Sequence, residues 1–489
     1  MRSICTAIRA MLFAGVIVGW FCPAVSAEEA SETTVFRAGA AKSNITPPLG
    51  VSLVGSMRDR KATHVHDELH ARSLVLDDGK TRIAIVVCDL LALDKAAVVR
   101  AKKLIQEHTG IPADHVLIAA THTHTGPATV PVFQCDPEQD YIDWLVVRIA
   151  DTVRRAVSNL RPARVGWGVG REDRVVFNRR YFMKPGTMPP NPWGSTSDRV
   201  KMNPGQENPN VVRPAGPIDP AVSILAVQDA EGAPIAVLGN YTLHYVGGGS
   251  GSDVSADYFG MWAAIIEREW NGSPNVAKPP QVAILTNGCS GDINNTDVRH
   301  RLKQPYPYHQ MQKVARLVAD ESLHVLRAIE YRDWVPLASC ETHLEFAVRK
   351  PSEQDIQEAR GILQEAGAEL RLLKDIYARE TVLLSEWKDT VETPIQALGI
   401  GDAAIVTFPG EAFVELGLEV KAKSPFPLTF CIELANDYIG YIPTVAGHDQ
   451  GGYETWRARS SFLEMNAAPT MVSTALDLLG QIHSARGQD

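Results

Sequence analysis

The chain has 489 residues, 45% of them hydrophobic and 21% charged, with a formal net charge of −9. This is ordinary globular composition, and the acidic balance argues against nucleic acid or an anionic membrane surface as the main partner. The seven cysteines are irregularly spaced and include no C-x-x-C pair, which excludes a disulfide framework and a cysteine-rich zinc site and favours buried free thiols.

Residues 1–27 read as a secretory signal. Arg2 and Arg9 form the charged start, Met11 to Phe21 the apolar centre, and Val25-Ser26-Ala27 the small-residue cleavage site. The apolar run is shorter than the roughly 20 residues a bilayer span requires. A secreted or periplasmic protein with no integral membrane segment in its mature chain is expected, with residues 28–35 loose and one large domain over 36–485.

Two strands are expected at Leu69–Asp77 and Arg82–Cys88, joined by the turn Asp78-Gly79. A helix over Asp94–His108 then leads to a strand at Val116–Ala120. Strand, helix, strand implies a parallel pair. Tyr141–Leu160 has helical periodicity. From Arg179 to Pro220 the chain is dense in Pro, Gly and Asn, and the reading is a long functional loop over 180–220. Strands resume at Ala221–Gln228, Ile235–Leu238, Val282–Leu285, Ala404–Phe408 and Leu428–Ile432, with helices at Tyr258–Trp270 and Tyr308–Ile329. Ser352–Asp389 reads as a charged helical elaboration (352–390), and Ala458–Ile482 as a last helix. The fold class is α/β, a mixed, largely parallel β-sheet core flanked by helices.

The chemistry gathers where apolar strands hand over to polar turns. Val116–Ala120 stops at Thr121-His122-Thr123-His124-Thr125-Gly126-Pro127, and in extended backbone residues i and i+2 point the same way, so both imidazoles would face one pocket. Other strands lead to His244, to Asn287-Gly288-Cys289-Ser290-Gly291-Asp292-Ile293-Asn294-Asn295, to Pro409-Gly410-Glu411 and to Asn436-Asp437-Tyr438-Ile439-Gly440-Tyr441. In α/β proteins ligands bind outside the carboxyl ends of strands. Two or three imidazoles with a carboxylate suit Zn²⁺. Two polar residues closing a strand are the plainer reading of His122 and His124 alone.

These motifs, with Ile442-x-Thr444 and Tyr453-Glu454 following, occur in the same order in the neutral/alkaline, non-lysosomal ceramidases, which the chain resembles over roughly residues 36–460. The resemblance implies an α/β catalytic domain holding one Zn²⁺ per chain through His122, His244, Glu411 and Tyr441. It implies that His124 lies beside the reacting carbonyl, that Arg179 polarises it, and that Tyr453 lines the same site. The implied activity is hydrolysis of the amide of an N-acyl, ceramide-like substrate by zinc-activated water. The chain departs from the pattern in two ways. Asn294 stands where the family has a serine, so a serine nucleophile is not expected, and Ser290 and Cys289 do not form a Gly-x-Ser-x-Gly elbow. The family's C-terminal immunoglobulin-like domain is also not expected here. A zinc esterase or deacetylase and a non-catalytic ligand-binding relative therefore stand as alternatives.

Overall fold

The computed structural model describes residues 34–270, 278–367 and 369–486. The expected signal segment 1–27 lies outside them, as does 28–33. From Val35 onward the chain forms one compact unit.

Twelve strands make two sheets. The larger is built from β1 (Arg37–Asn44), β2 (His70–Asp77), β3 (Arg82–Cys88), β4 (Val116–Ala120), β5 (Arg161–Arg171), β6 (Ala221–Asp229), β7 (Pro234–Tyr241) and β8 (Val282–Asn287), in the order β8-β7-β6-β5-β1-β2-β3-β4. The smaller has β9 (Leu337–Ala347), β10 (Thr390–Ile400), β11 (Ala403–Thr407) and β12 (Leu428–Ile432) in sequence order. The mixed α/β class is as expected, and β3 and β4 do pair in parallel across the helix Lys95–Thr109. The expectation of a largely parallel sheet is corrected. In the large sheet only β7/β8 and β3/β4 run parallel, and the other neighbours are antiparallel.

The reason lies in the layering. Alternate residues of the large sheet face opposite ways. Leu74, Leu76, Ile83, Ile85 and Leu117 pack against Leu398, Ile400, Ile405 and Phe430 of the smaller sheet. The opposite face meets helices: Val75, Val86 and Ile118 pack on Lys95–Thr109 and Gln139–Ser158, and Ile224, Val237 and Leu285 on Asp257–Glu269 and His309–Ala328. The outer face of the smaller sheet carries Val414–Lys423 and Ala467–Ala485. Strands buried on both faces read as unbroken apolar runs, the usual mark of parallel sheets. Here a second sheet buries antiparallel strands equally well.

Two further expectations change. The 180–220 stretch is not irregular throughout, since Arg180–Met183, Val200–Met202 and Val211–Pro214 form a three-stranded antiparallel sheet. The last helix begins at Ala467, not Ala458, because Ser460 and Ser461 are drawn into contact with Gly440 and Tyr441, next to the site. The 352–390 elaboration is a pair of helices, Glu353–Ala366 and Leu373–Ser385. Cys88, Cys135, Cys289, Cys340 and Cys431 are free thiols.

Candidate functional site

Strands β3, β4, β7, β8, β11 and β12 send their carboxyl ends to one rim, where the turns expected to carry chemistry meet in a cavity of about 270 Å³. His122, His124, Arg179, His244, Glu411, Tyr441 and Tyr453, named above from separate segments, all line it. Ser290 and Cys289 do not. The Ser290 hydroxyl donates to Glu433 Oε1 at 2.6 Å, and burial pushes the Cys289 thiol up.

His122 and His124 reach the same cavity by a route other than strand alternation. Thr121 to Thr123 lie beyond β4, and His122 has φ 74°, a left-handed conformation uncommon for a non-glycine residue. Its N–H bonds the Leu90 carbonyl at 2.8 Å, so the surrounding fold holds the strained turn in place.

The three imidazoles share one arrangement. Nδ1 of His122 donates to Leu91 O at 3.0 Å, that of His124 to Gly55 O at 2.8 Å, and that of His244 to Ser290 O at 3.1 Å. A carbonyl only accepts, so each ring carries its proton on Nδ1 and turns a lone pair on Nε2 inward. Those lone pairs converge: His122 Nε2 lies 3.0 Å from His244 Nε2 and 3.1 Å from His124 Nε2. Acceptor atoms this close repel unless a cation stands among them. Burial, with the Arg179 charge and the neighbouring imidazoles, depresses His124 and His244 well below the ordinary histidine value, which keeps them neutral.

Glu411 completes the cluster. Its Oε2 is buried without a hydrogen-bond partner, 3.3 Å from His122 Nε2 and 3.8 Å from His244 Nε2. Its Oε1 accepts from the Tyr438 hydroxyl at 3.0 Å. Burial raises this carboxyl, but the surrounding positive charge, including the Arg179 guanidinium, outweighs it and holds Glu411 below its usual range. Tyr441 is its neighbour by register, Glu411 pairing with Tyr441 between two short parallel strands. With zinc bonds of about 2.0–2.1 Å, tetrahedral donors stand about 3.3 Å apart, so the spacing of these nitrogens and the orphaned oxygen fits such an ion.

Arg179 stands at the centre of the polar wall. It donates from Nη1 to His244 Nε2 at 3.2 Å, from Nη2 to the Tyr441 hydroxyl at 3.0 Å and from Nε to Glu454 Oε1 at 3.0 Å. Glu454, fully buried and also 3.5 Å from Arg180 Nε, is a functional candidate that sequence reasoning passed over. A carboxylate beside Tyr453, able to match the Arg179-Arg180 pair, was the available signal. Tyr438 was quoted within its motif but given no role. On the far wall, Asn294 Nδ2 donates to Asn203 Oδ1 at 2.5 Å, and both line the cavity with Asn295 and Thr296.

The solved structure of neutral ceramidase from Pseudomonas aeruginosa superposes with a TM-score of 0.69 at 18% identity, over 92% of this chain and 75% of that one. A ceramidase complexed with C2 gives 0.67 at 16% identity, over 92% and 76%. In sequence, Pseudomonas aeruginosa neutral ceramidase is 24% identical over 251 residues, a match that spans 49% of this chain and about a third (34%) of that relative. Residues 36–299 match the family described as neutral/alkaline non-lysosomal ceramidase, N-terminal. With more than half its length inside that match and the family's order of motifs around one cavity, the chain belongs to the neutral/alkaline non-lysosomal ceramidase family.

Proposed function

We propose that this protein is a secreted, zinc-dependent hydrolase that cleaves the amide bond of an N-acyl, ceramide-like substrate. The observation that carries this reading is the approach of the unprotonated His122 and His244 Nε2 atoms to 3.0 Å beside the unpartnered Glu411 Oε2. His122, His244, Glu411 and Tyr441 would hold one zinc ion per chain. An ion held there would supply the acidified water and the polarised carbonyl that an unreactive amide needs, zinc bringing the pKa of bound water to about 7.

The remaining steps fall to side chains. His124, neutral with its proton on Nδ1, takes a proton from the attacking water at Nε2. It then holds the imidazolium proton that the departing nitrogen requires. It can act as a donor only after that transfer. Arg179 stays charged and is fixed by Glu454 and Tyr441, and the Nη1 that otherwise bonds His244 Nε2 would be free to meet the tetrahedral oxyanion once that lone pair is held by the ion. Tyr453 adds a hydroxyl to the same cavity. With Asn294 in the wall and Ser290 turned to Glu433, water is the nucleophile this chain supports.

A second reading keeps metal and fold and changes the bond to an ester or a short N-acyl group. It is favoured by the polar wall of Asn203, Asn294, Asn295 and Thr296. The test is a zinc assay paired with hydrolysis of a fluorescent N-acylsphingosine and its short-chain analogue. One zinc per chain with a preference for the long chain supports the first reading, and preference for the short chain supports the second. Carefully purified protein without zinc would sink both.

A further inference from the structure

Beside the catalytic cavity lies a second one of about 170 Å³ that shares Gly55, His124 and Tyr245 with it. The Tyr245 ring stacks on His124 at 3.6 Å between ring centroids and forms the partition. The one cationic residue lining this second cavity is Arg60. Its Nη2 donates to the His124 carbonyl at 2.8 Å, and its Nε is buried without a hydrogen-bond partner.

Arg60 is half-buried, and a guanidinium partly withdrawn from water ordinarily gains from a carboxylate partner. Among the described residues no carboxylate forms an ion pair with Arg60; the groups closest in effect are the Tyr245 phenol and the Cys135 thiol. Neighbouring Asp59 is turned to Lys61 at 3.3 Å. The carboxylate on the cavity wall, Asp253, accepts from the Tyr308 hydroxyl and, at 2.9 Å, from Ser250 N–H. Across the cavity runs the strap Gly247-Gly248-Gly249-Ser250-Gly251. A Cβ at Gly251 would stand 2.8 Å from Arg60 Nη1, so glycine there lets the backbone close on the guanidinium. The N–H groups of Gly248, Gly249 and Gly251 donate to no acceptor among the described residues.

We propose that Arg60 and the glycine strap form an oxyanion subsite that receives a carboxylate next to the catalytic cavity. The assignment to a product rests on the hydrolase reading: an amide cleaved by water becomes a carboxylate and an amine, and the carboxylate would be formed in the cavity that adjoins Arg60's across His124 and Tyr245. The binding site itself does not depend on that reading. A phosphate carried by the substrate would satisfy the same donors, and the experiment separates the two sources.

The full mature protein is titrated by calorimetry with hexanoate, hexanamide and inorganic phosphate. Saturable hexanoate binding, absent for hexanamide, is expected, weakened about ten-fold or more in Arg60→Gln through loss of a charge-assisted pair. Gly251→Ala, which keeps the charge but crowds Nη1, should weaken it several-fold and serves if Arg60→Gln does not fold. Binding should survive in His122→Ala. A carboxylate that binds Arg60→Gln and Gly251→Ala as tightly as the parent overturns the proposal. So does one that fails to bind the parent, or whose binding vanishes in His122→Ala. Phosphate binding in place of hexanoate overturns the carboxylate proposal and points instead to a phosphate-bearing substrate. A protein with neither zinc nor turnover that still binds hexanoate through Arg60 refutes the hydrolase reading and leaves the subsite standing.

Discussion

The two walls of the candidate-site cavity are held in different ways. On the histidine wall each imidazole is fixed by its own backbone carbonyl, Leu91, Gly55 or Ser290, and these come from three different segments. On the opposite wall, Asn294 meets Asn203 through one amide contact, and Asn203 sits at φ 46° on a connection between two short strands. Each ring on the first wall has an anchor of its own, so the loss of one leaves the other two in place. The second can change partners with one side chain. Each wall predicts a different response to mutation.

Removing a ligand from the rigid wall should have the largest effect. His122→Ala or His244→Ala is expected to reduce zinc from one per chain to a trace by elemental analysis, with turnover falling by about 10³-fold or more, since the chemistry the metal supplies has no substitute here. His124→Ala sharpens the comparison. If His124 is the proton carrier it keeps the zinc and loses activity, whereas loss of the metal would make it a ligand, an arrangement its 3.1 Å approach to His122 also allows.

Next comes the arginine held by this wall. Arg179→Met should lower kcat by about 10²-fold, the usual cost of one oxyanion donor, with zinc retained. Glu454→Gln should cost less in kcat, because Tyr441 still holds Arg179. It should also lower the melting temperature, since two buried guanidinium groups lose their carboxylate. Unchanged stability in Glu454→Gln would contradict this account of the wall.

How much of this was legible in the sequence depended on whether local pattern or distant partners decided an element. The strands β2, β3, β4 and β12 and the helix after β3 could be read because apolar runs end at Asp-Gly, Thr-Gly or a polar turn. Strand β5 could not. Its Val165-Gly166-Trp167-Gly168-Val169-Gly170 run looks like loop, yet the glycines make a stripe on which the helix His309–Ala328 lies, a Cβ at Gly168 coming within 2.9 Å of Val325. The same limit applies at the site. His122, His244, Glu411 and Tyr441 were found because each follows a strand and matches an ordered family motif. The pairing of Glu411 with Tyr441, the left-handed turn at His122 and the clamp of Arg179 by Glu454 depend on segments up to 275 residues apart.

The acid response distinguishes the walls more gently. His124 and His244 are held neutral by burial and neighbouring charge. Outside the site, burial brings His70 and His448 down to about 4. The unfolded chain takes up protons on such groups near the ordinary value of about 6.5, where the folded chain does not, so stability is full above 6.5 and declines as pH falls toward 4. Melting temperatures should therefore decline between pH 6.5 and 4. The acid limb of kcat/KM should lie below 6.5; a limb at 6.5 would mean that the histidine wall is wetter than its burial implies.

The smallest effect is expected on the adjustable wall, and it tests the departure that sets this chain apart. Asn294→Ala removes the contact with Asn203 but no group assigned to bond-breaking, so zinc content and kcat should stay within a few-fold of the parent. What should move is KM, by about ten-fold or less, the scale of one or two lost hydrogen bonds in a partly hydrated wall. The shift should differ between long- and short-chain amides, because Asn203 is released with it. Asn294→Ser restores a hydroxyl at this position. If the chain is a binding protein that lost turnover with its serine, Asn294→Ser alone creates activity where the parent has none. If water is the nucleophile, Asn294→Ser behaves like Asn294→Ala, because the histidine wall and Arg179 already supply every proton and donor the reaction uses.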